Sequence, residues 1–251
     1  MLILRSLLTS GLFVCGLFIA PLTVAQAAEL EDPWEGFNRK VFVFNDTLDT
    51  YLLRPVAKGY RAVTPDPVET GVSNVFKNLL EVRNVVNDML QGKWEQAAND
   101  TGRFLVNSTV GLVGVFDVAQ HWGMPRGDGE DFGQTFATWG TGQGPYIVLP
   151  LLGSTTLRDA AGMPLNVLVH PLLDVDHVPT RNTITGVDLV DTRAALLDAE
   201  KMISGDKYTF IRDAYLQRRN YLINDGMVED TFGDDDFCLR RAVRSPLGIA
   251  G

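Results

Sequence analysis

FLVNSTVGLVGVFDV, residues 104–118, is the stretch on which the reading of this chain turns. On a helical wheel Phe104, Leu105, Val106, Val110, Leu112, Val113, Val115, Phe116 and Val118 point in every direction. An amphipathic surface helix would confine them to one stripe. The run is shorter than the ~20 apolar residues needed to cross a bilayer, and Asn107, Ser108, Thr109 and Asp117 interrupt it. It is therefore either a fully buried core helix or a segment that sits in lipid without spanning it.

The flanking sequence is helical. A helix is expected to begin near Trp94 and run through Ala97, Ala98 and Thr101 into this stretch. Before it, residues 75–90 place Leu79, Val82, Val86, Met89 and Leu90 on one arc with Glu81, Asn84 and Asp88 opposite, and Gly92 ends the pattern. Further upstream, Asp32-Pro33-Trp34-Glu35 reads as a helix start, with Asp32 as cap, Pro33 in the first turn and Glu35 completing a capping box. Phe37, Val41, Phe44 and Leu48 continue it, Arg54-Pro55 interrupts it, and Pro65 and Pro67 break the chain. Glu35 and Arg39 form an i,i+4 pair that is a minor surface contact if exposed and a register lock if buried.

Downstream, residues 117–141 are rich in Gly and charge and read as loop. Residues 140–153 (GTGQGPYIVLPLLG) carry too much Gly and Pro for a regular helix and too much apolar bulk for a solvated loop. Residues 160–175, with Pro164 and Pro171 around Val167, Leu168 and Val169, are similar. Residues 188–203 (Leu189, Leu196, Ile203 in phase) and 207–225 (Tyr208, Ile211, Tyr215, Leu222 in phase) are ordinary helices. The fold class is mainly α.

The N-terminus carries one charge, Arg5, and an apolar run from Leu7 to Ala20. Ala25-Gln26-Ala27 then supplies a signal-peptidase site, which makes Ala28 the first mature residue. Cys15 has the Leu-three-before-Cys spacing of a lipoprotein signal. Val14 is bulky where a small residue is expected, however, so Cys15 reads as part of the leader. Cys238 is then the sole mature thiol and no intrachain disulfide can form. Residues 1–27 are read as signal peptide, 28–230 as one domain and 231–251 as a mobile tail. The chain carries a formal charge of −9, which argues against sequence-independent nucleic-acid binding and against retention on anionic lipid by a basic patch. Any membrane contact must use apolar surface.

No Gly-x-Ser-x-Gly elbow or His-Glu-x-x-His motif is present, so no catalytic residues are assigned. Gly140-x-Gly142-x-Gly144 is followed by Pro145 and not by a helix N-terminus that could hold phosphate. His170, Asp174, Asp176 and His177 are the best metal candidates, but Pro171 prevents one helix from presenting them together. No metal and no cofactor are expected.

The apolar segments would gain about 1.5–3 kcal/mol per large side chain on leaving water, whether for a core or for lipid. General grounds favour the core, since irregular backbone is tolerated in lipid only beside protein or a cavity. The order of motifs points elsewhere. Asp32-Pro33-Trp34-Glu35-Gly36-Phe37-Asn38-Arg39 resembles the opening signature of the MlaA (VacJ) family of outer-membrane phospholipid-transport proteins. The likeness extends through Phe44-Asn45, Arg54-Pro55-Val56-Ala57, Ser73-Asn74, Gln91-Gly92, Arg103-Phe104, Asn107 and Asp117-Val118-Ala119. It continues in Phe132-Gly133-Gln134-Thr135, Gly144-Pro145-Tyr146, Leu149-Pro150, Leu157-Arg158-Asp159, Arg193 and Tyr215-x-Gln217-Arg218.

The resemblance implies a ring-shaped helical domain whose short irregular apolar elements lie in the inner leaflet of a Gram-negative outer membrane, on the periplasmic side, around an amphipathic channel. It implies removal of mislocalised phospholipid from the outer leaflet, transfer to a soluble periplasmic carrier, and association with a trimeric porin, with no chemical step. On that reading headgroups would follow Asn107, Ser108 and Thr109. Acyl chains would pass Phe104, Leu105, Leu112, Phe116, Ile147 and Leu149, and Gly140, Gly142, Gly144 and Pro145 would hinge or gate the path. The alternatives are a periplasmic metal-dependent hydrolase using His170, Asp174 and His177, and a structural scaffold for porins. Many members carry a lipidated Cys at the mature start, which this chain lacks on the reading above.

Overall fold

Glu35–Leu48 forms the first helix, α1, of a computed structural model that describes residues 32–227. The expected cleavage site at Ala27 and Ala28, both cysteines and the tail at 231–251 lie outside the described residues. α1 begins later than expected. Asp32 does not cap it, because its carboxylate is taken by the Asn38 side chain (2.8 Å), the Trp34 amide (3.2 Å) and the Tyr208 hydroxyl. Nor does Glu35 complete a capping box. It pairs with Arg39 at 2.6 Å on the half-exposed surface, and Arg39 in turn reaches Asp206 at 2.8 Å.

Arg54-Pro55 does not interrupt the helix. Asp49–Leu53 adopts a π-turn and Arg54–Val63 continues as α2, with Pro55 in its first turn. The widened turn accommodates a residue that lacks an N–H and would clash with a regular preceding turn. The chain then breaks at Thr64 and Pro65, and α3 (Asp66–Gln91) starts with Pro67 inside its first turn. Gly92, at φ +80°, terminates it as expected. α4 (Trp94–Thr109) follows after two residues and packs along α3 as a helical hairpin.

Residues 104–118 are not one element. The helix stops at Thr109, and the chain turns through Val110 to Phe116 with Leu112 (φ 53°) and Val113 (φ 60°) both left-handed. Residues 117–141, read as loop, contain α5 (Val118–His121) and α6 (Phe132–Thr138), started by Asp117 and Asp131 as side-chain caps. Residues 140–153 supply most of an antiparallel hairpin of β1 (Tyr146–Leu149) and β2 (Gly153–Thr156), with Tyr146 opposite Thr156 and Leu149 opposite Gly153. The sequence shows no alternation there, because β1 is apolar throughout and β2 is nearly all polar.

α7 (Leu157–Leu168) runs through Pro164 as a helix, and Pro171–Asp174 is a short 3-10 turn. α8 spans Val178–Ala195, so the helix expected over 188–203 starts ten residues earlier and ends before Leu196. α9 (Lys207–Ile223) lies where expected. The described residues are mainly helical, with two short strands. β1, α1 and α9 meet at a small apolar cluster of Tyr146, Val148 and Tyr208, covered by Val41, Phe42, Tyr215 and Leu216. Edge-on contacts of Tyr208 with Phe42 (5.5 Å) and Tyr146 (6.3 Å) hold it together.

Candidate functional site

The two arcs of α3 are correctly separated by sequence, but they face the opposite way from a soluble helix. Glu81, Asn84, Asn87 and Asp88 are buried, whereas Leu79, Val82 and Val86 are half-buried and Met89 and Leu90 are exposed. α4 repeats the inversion, with Asp100, Arg103 and Asn107 buried and Leu105 exposed. The seam between them is a polar network centred on Arg103, which is fully buried. Its Nε donates to Glu81 (3.1 Å), its Nη2 donates to both oxygens of Asp117 (2.9 and 3.0 Å), and its Nη1 donates to the Met124 carbonyl (2.6 Å).

Neighbouring groups complete the network. Asn84 donates to Glu81, Asn107 to Asp117, and Arg126 adds a second cation at Asp117, 3.2 Å away. Burial opposes ionisation of Asp117, but the Arg103 guanidinium overrides it and holds the carboxyl below its usual range. Two carboxylates and two guanidiniums thus neutralise each other inside the protein.

With polar groups inward, apolar ones are driven out. Leu105, Val110, Leu112, Val113 and Phe116 are all exposed. A β-branched residue such as Val113 in the left-handed region is strained. The turn is held there by Val113 N–H to the Ser108 carbonyl (3.1 Å) and Gly114 N–H to the Asn107 carbonyl (2.8 Å). A side chain at Gly114 (φ 90°) would lie 2.7 Å from the Asn78 Cβ, so only glycine permits this close turn. The four tryptophans, Trp34, Trp94, Trp122 and Trp139, are also exposed, as amphipathic rings are at a membrane interface. A surface this apolar wrapped around a polar interior is disfavoured in water and favoured against hydrocarbon. Among the described residues, no helix is long and apolar enough to cross a membrane.

A second polar system docks the hairpin. Asn38 donates to the Tyr146 carbonyl (3.1 Å) and accepts from Val148 N–H (2.9 Å), while Asn45 donates to the Leu149 carbonyl and accepts from Leu151 N–H (both 2.9 Å). On the far side, Arg219 bridges Asp131 (2.6 Å) and Asp159 (2.9 Å), and Tyr215 donates to Asp159 (2.7 Å). Burial works against charge on both aspartates, and Arg219 outweighs it and keeps them ionised.

Two cavities flank this framework. One, of about 400 Å³, opens between α1, the hairpin, α9 and the segment joining α8 to α9, with Phe42, Val148, Leu196, Ile203, Phe210 and Ile211 as its apolar wall. Its rim carries a series of ion pairs. Arg193 meets Asp49 (2.6 Å) and Glu200 (2.7 Å), and Lys207 meets Asp46 (2.5 Å). The other, of about 870 Å³, is polar and lined by Lys93, Trp94, Gln96, Asp100, Glu130 and Asp225 among others. Just behind it the buried Asp88 carboxyl has no hydrogen-bond partner among the described residues. Burial, then the neighbouring Asp100 and Glu130, push it up to about 7, and burial likewise raises Asp100 to about 6.

The residues marked out from sequence are distributed as follows. Asp32, Asn38 and Arg39 tie α1 to β1 and α9, Gly36 lies open, and Phe37 is exposed. Asn107 is buried in the Arg103 network and Ser108 accepts from Asn78 (2.9 Å), while Thr109 is exposed and donates back to Leu105. Phe104, Ile147 and Leu149 are half-buried. Gly140 and Gly144 have φ of 86° and 68°, and Gly142 and Pro145 lie between and beside them in the segment that enters β1. His170 and His177 each accept a backbone N–H through Nδ1, from Leu172 and Thr180, so both rings serve as caps. Among the described residues no three His, Cys, Asp or Glu side chains are grouped to hold a metal. Arg219 is not among the residues marked out from sequence, Arg103 enters there only within the Arg103-Phe104 motif, and Glu81 and Asp88 only as members of the polar arc of α3. The signal for Glu81 and Asp88 is that polar arc, whose spacing does not say whether it faces inward.

The chain was compared with known proteins. The profile of the MlaA lipoprotein family matches residues 30–222. The Escherichia coli intermembrane phospholipid transport system lipoprotein MlaA is 38% identical over 203 residues, covering 79% of this chain and 80% of that protein. The Haemophilus influenzae protein of the same name is 32% identical over 211 residues, with 82% and 84% covered. An uncharacterised protein of Rickettsia conorii is 38% identical over 190 residues, with 74% and 75% covered. A solved chain from work on the structural basis for maintenance of bacterial outer membrane lipid asymmetry superposes with a TM-score of 0.68 at 37% identity, covering 77% of this chain and 99% of the other.

Proposed function

This chain belongs to the MlaA lipoprotein family, and from that membership we propose that it moves phospholipid between the membranes of a Gram-negative envelope and so maintains outer-membrane lipid asymmetry. The observation that carries the proposal is the inverted polarity of the α3–α4 hairpin, buried Arg103, Glu81 and Asp88 within and exposed Leu105, Leu112 and Phe116 without. Such a body is stable where apolar tails surround it. The domain, taken as residues 28–230, lies as a ring in the inner leaflet of the outer membrane, facing the periplasm, and is retained by its apolar exterior. An amphipathic path through it takes misplaced phospholipid from the outer leaflet to a soluble periplasmic carrier, beside a trimeric porin.

No bond is made or broken, so the protein is not an enzyme. Acyl chains slide past Phe104, Leu105, Leu112, Phe116, Ile147 and Leu149, with headgroups near Ser108 and Thr109. The glycines at 140, 142 and 144, with Pro145, form the hinge from which the hairpin moves. The test is deletion of the gene followed by labelling of surface phospholipid with an impermeant amine reagent. Deletion should raise outer-leaflet phospholipid and the chain should restore it. Unchanged labelling, or phospholipid breakdown that requires His170 and His177, would overturn the reading.

A further inference from the structure

Against the acidic background of the chain, positive charge gathers on one face of α2. Arg54, Lys58 and Arg61 follow at intervals of four and three along α2, so they share one face, and Lys201 joins them across a groove of about 550 Å³. Two carboxylates, Asp198 and Glu200, line the same groove, which leaves it with two positive charges in excess. Arg61 and Lys201 both pair with Asp198 (2.9 and 2.7 Å) and Arg54 pairs with Glu200 and, from outside the groove, with Asp49 (3.4 Å), whereas Lys58 has no acidic partner among the described residues. The opposite face of α2 carries Val56 and Val63, both exposed. The basic groove thus looks away from the side of α2 that would meet acyl tails.

Glu200 is also a wall of the apolar cavity described above. A cationic groove and a cavity lined by Phe42, Val148 and Phe210 therefore adjoin across a single side chain. That is the complement of an anionic amphiphile, charged at one end and aliphatic at the other. Resting on the transport reading, we propose that this pair of cavities is a holding site for one glycerophospholipid, its phosphate against Arg54, Lys58, Arg61 and Lys201 and an acyl chain in the apolar cavity. The arginines provide forked donors fixed by their carboxylate partners, and Lys58 supplies the free charge.

The test uses the full chain purified in detergent and short-chain phosphatidylglycerol, with inorganic phosphate and the matching diacylglycerol as separate probes. Phosphatidylglycerol should bind at least ten-fold more tightly than either probe alone. Lys58→Glu with Lys201→Glu should weaken it ten-fold or more and flatten its salt dependence. Ala199→Trp, which fills the apolar cavity, should weaken phosphatidylglycerol while leaving inorganic phosphate unaffected. Equal binding by the double-Glu variant would overturn the proposal. So would phosphate competing as well as the lipid with no effect of Ala199→Trp, which would mark a free-phosphate site. If the double-Glu variant still restores surface lipid in the deletion strain, the holding site fails and the transport reading stands. If deletion never disturbs surface lipid, the transport reading fails whatever binds here.

Discussion

Asn38 and Asn45 stand seven residues apart on one face of α1, and each uses both ends of its amide, Asn38 on β1 and Asn45 on the end of β1 and the turn after it. The ~10.5 Å rise of seven helical residues matches the ~10 Å that separates the centres of the two clasped segments, 146–148 and 149–151, so helix side chains serve as the missing strand edge. Asn38→Ala would orphan the buried Tyr146 carbonyl and Val148 N–H, costing on the order of 2–4 kcal/mol. Asn45→Ala, nearer solvent, should cost about 1 kcal/mol. Thermal unfolding in detergent measures both, and an equal loss at the two sites would contradict the difference in burial.

Arg103→Ala leaves the buried Glu81 without its cation and the half-buried Asp117 with Arg126 alone, and should cost about 3–5 kcal/mol. Arg103→Lys should recover little, since one ammonium cannot reach Glu81, Asp117 and the Met124 carbonyl together. Folding yield and melting temperature of the two variants check this.

Asp88 gives the fold a pH dependence with a definite sign. Its folded pKa of about 7 lies above its ordinary 3.8, raised by burial and by Asp100 and Glu130 against a partial offset from Lys93. The contribution of the protonated form is therefore complete below about pH 4 and lost as pH rises toward 7, and Asp100 at about 6 acts in the same direction. Asp88→Asn should melt several degrees above the parent at pH 8, and the gap should close by pH 4. A gap that widens on acidification would reverse the assignment.

The inverted faces explain what could and could not be read from sequence. The periodicity of α3 separated Leu79, Val82, Val86, Met89 and Leu90 from Glu81, Asn84 and Asp88 without error. A period says nothing about which arc is inside. β1 and β2 were hidden because neither alternates: β1 is apolar throughout and β2 nearly all polar, and the free edge of β1 is met by Asn38 and Asn45 of a helix and not by a third strand. Pro55 and Pro164 marked breaks that a π-turn and a continuous helix absorb. His170 and His177 looked like ligands because caps and ligands draw on the same ring nitrogens.

Leu112 and Val113 hold left-handed backbone at an exposed turn. Glycine at either position should relieve about 1 kcal/mol of strain and raise the melting temperature in detergent. The same substitutions remove apolar side chains from the exterior and should weaken binding to phosphatidylethanolamine–phosphatidylglycerol vesicles in sedimentation assays. A glycine variant that is less stable yet binds vesicles fully would show that the turn serves folding alone.

Spin labels placed singly at Leu105, Leu112 and Phe116, with Gln96 as a control in the polar cavity, can be read in lipid nanodiscs against two relaxants. Labels at 105, 112 and 116 should respond to membrane-dissolved oxygen and be shielded from an aqueous nickel chelate, with the order reversed at 96. Labels at 105, 112 and 116 that meet the chelate freely, in a protein that stays monomeric in buffer without detergent, would mean that these side chains face water and not acyl tails.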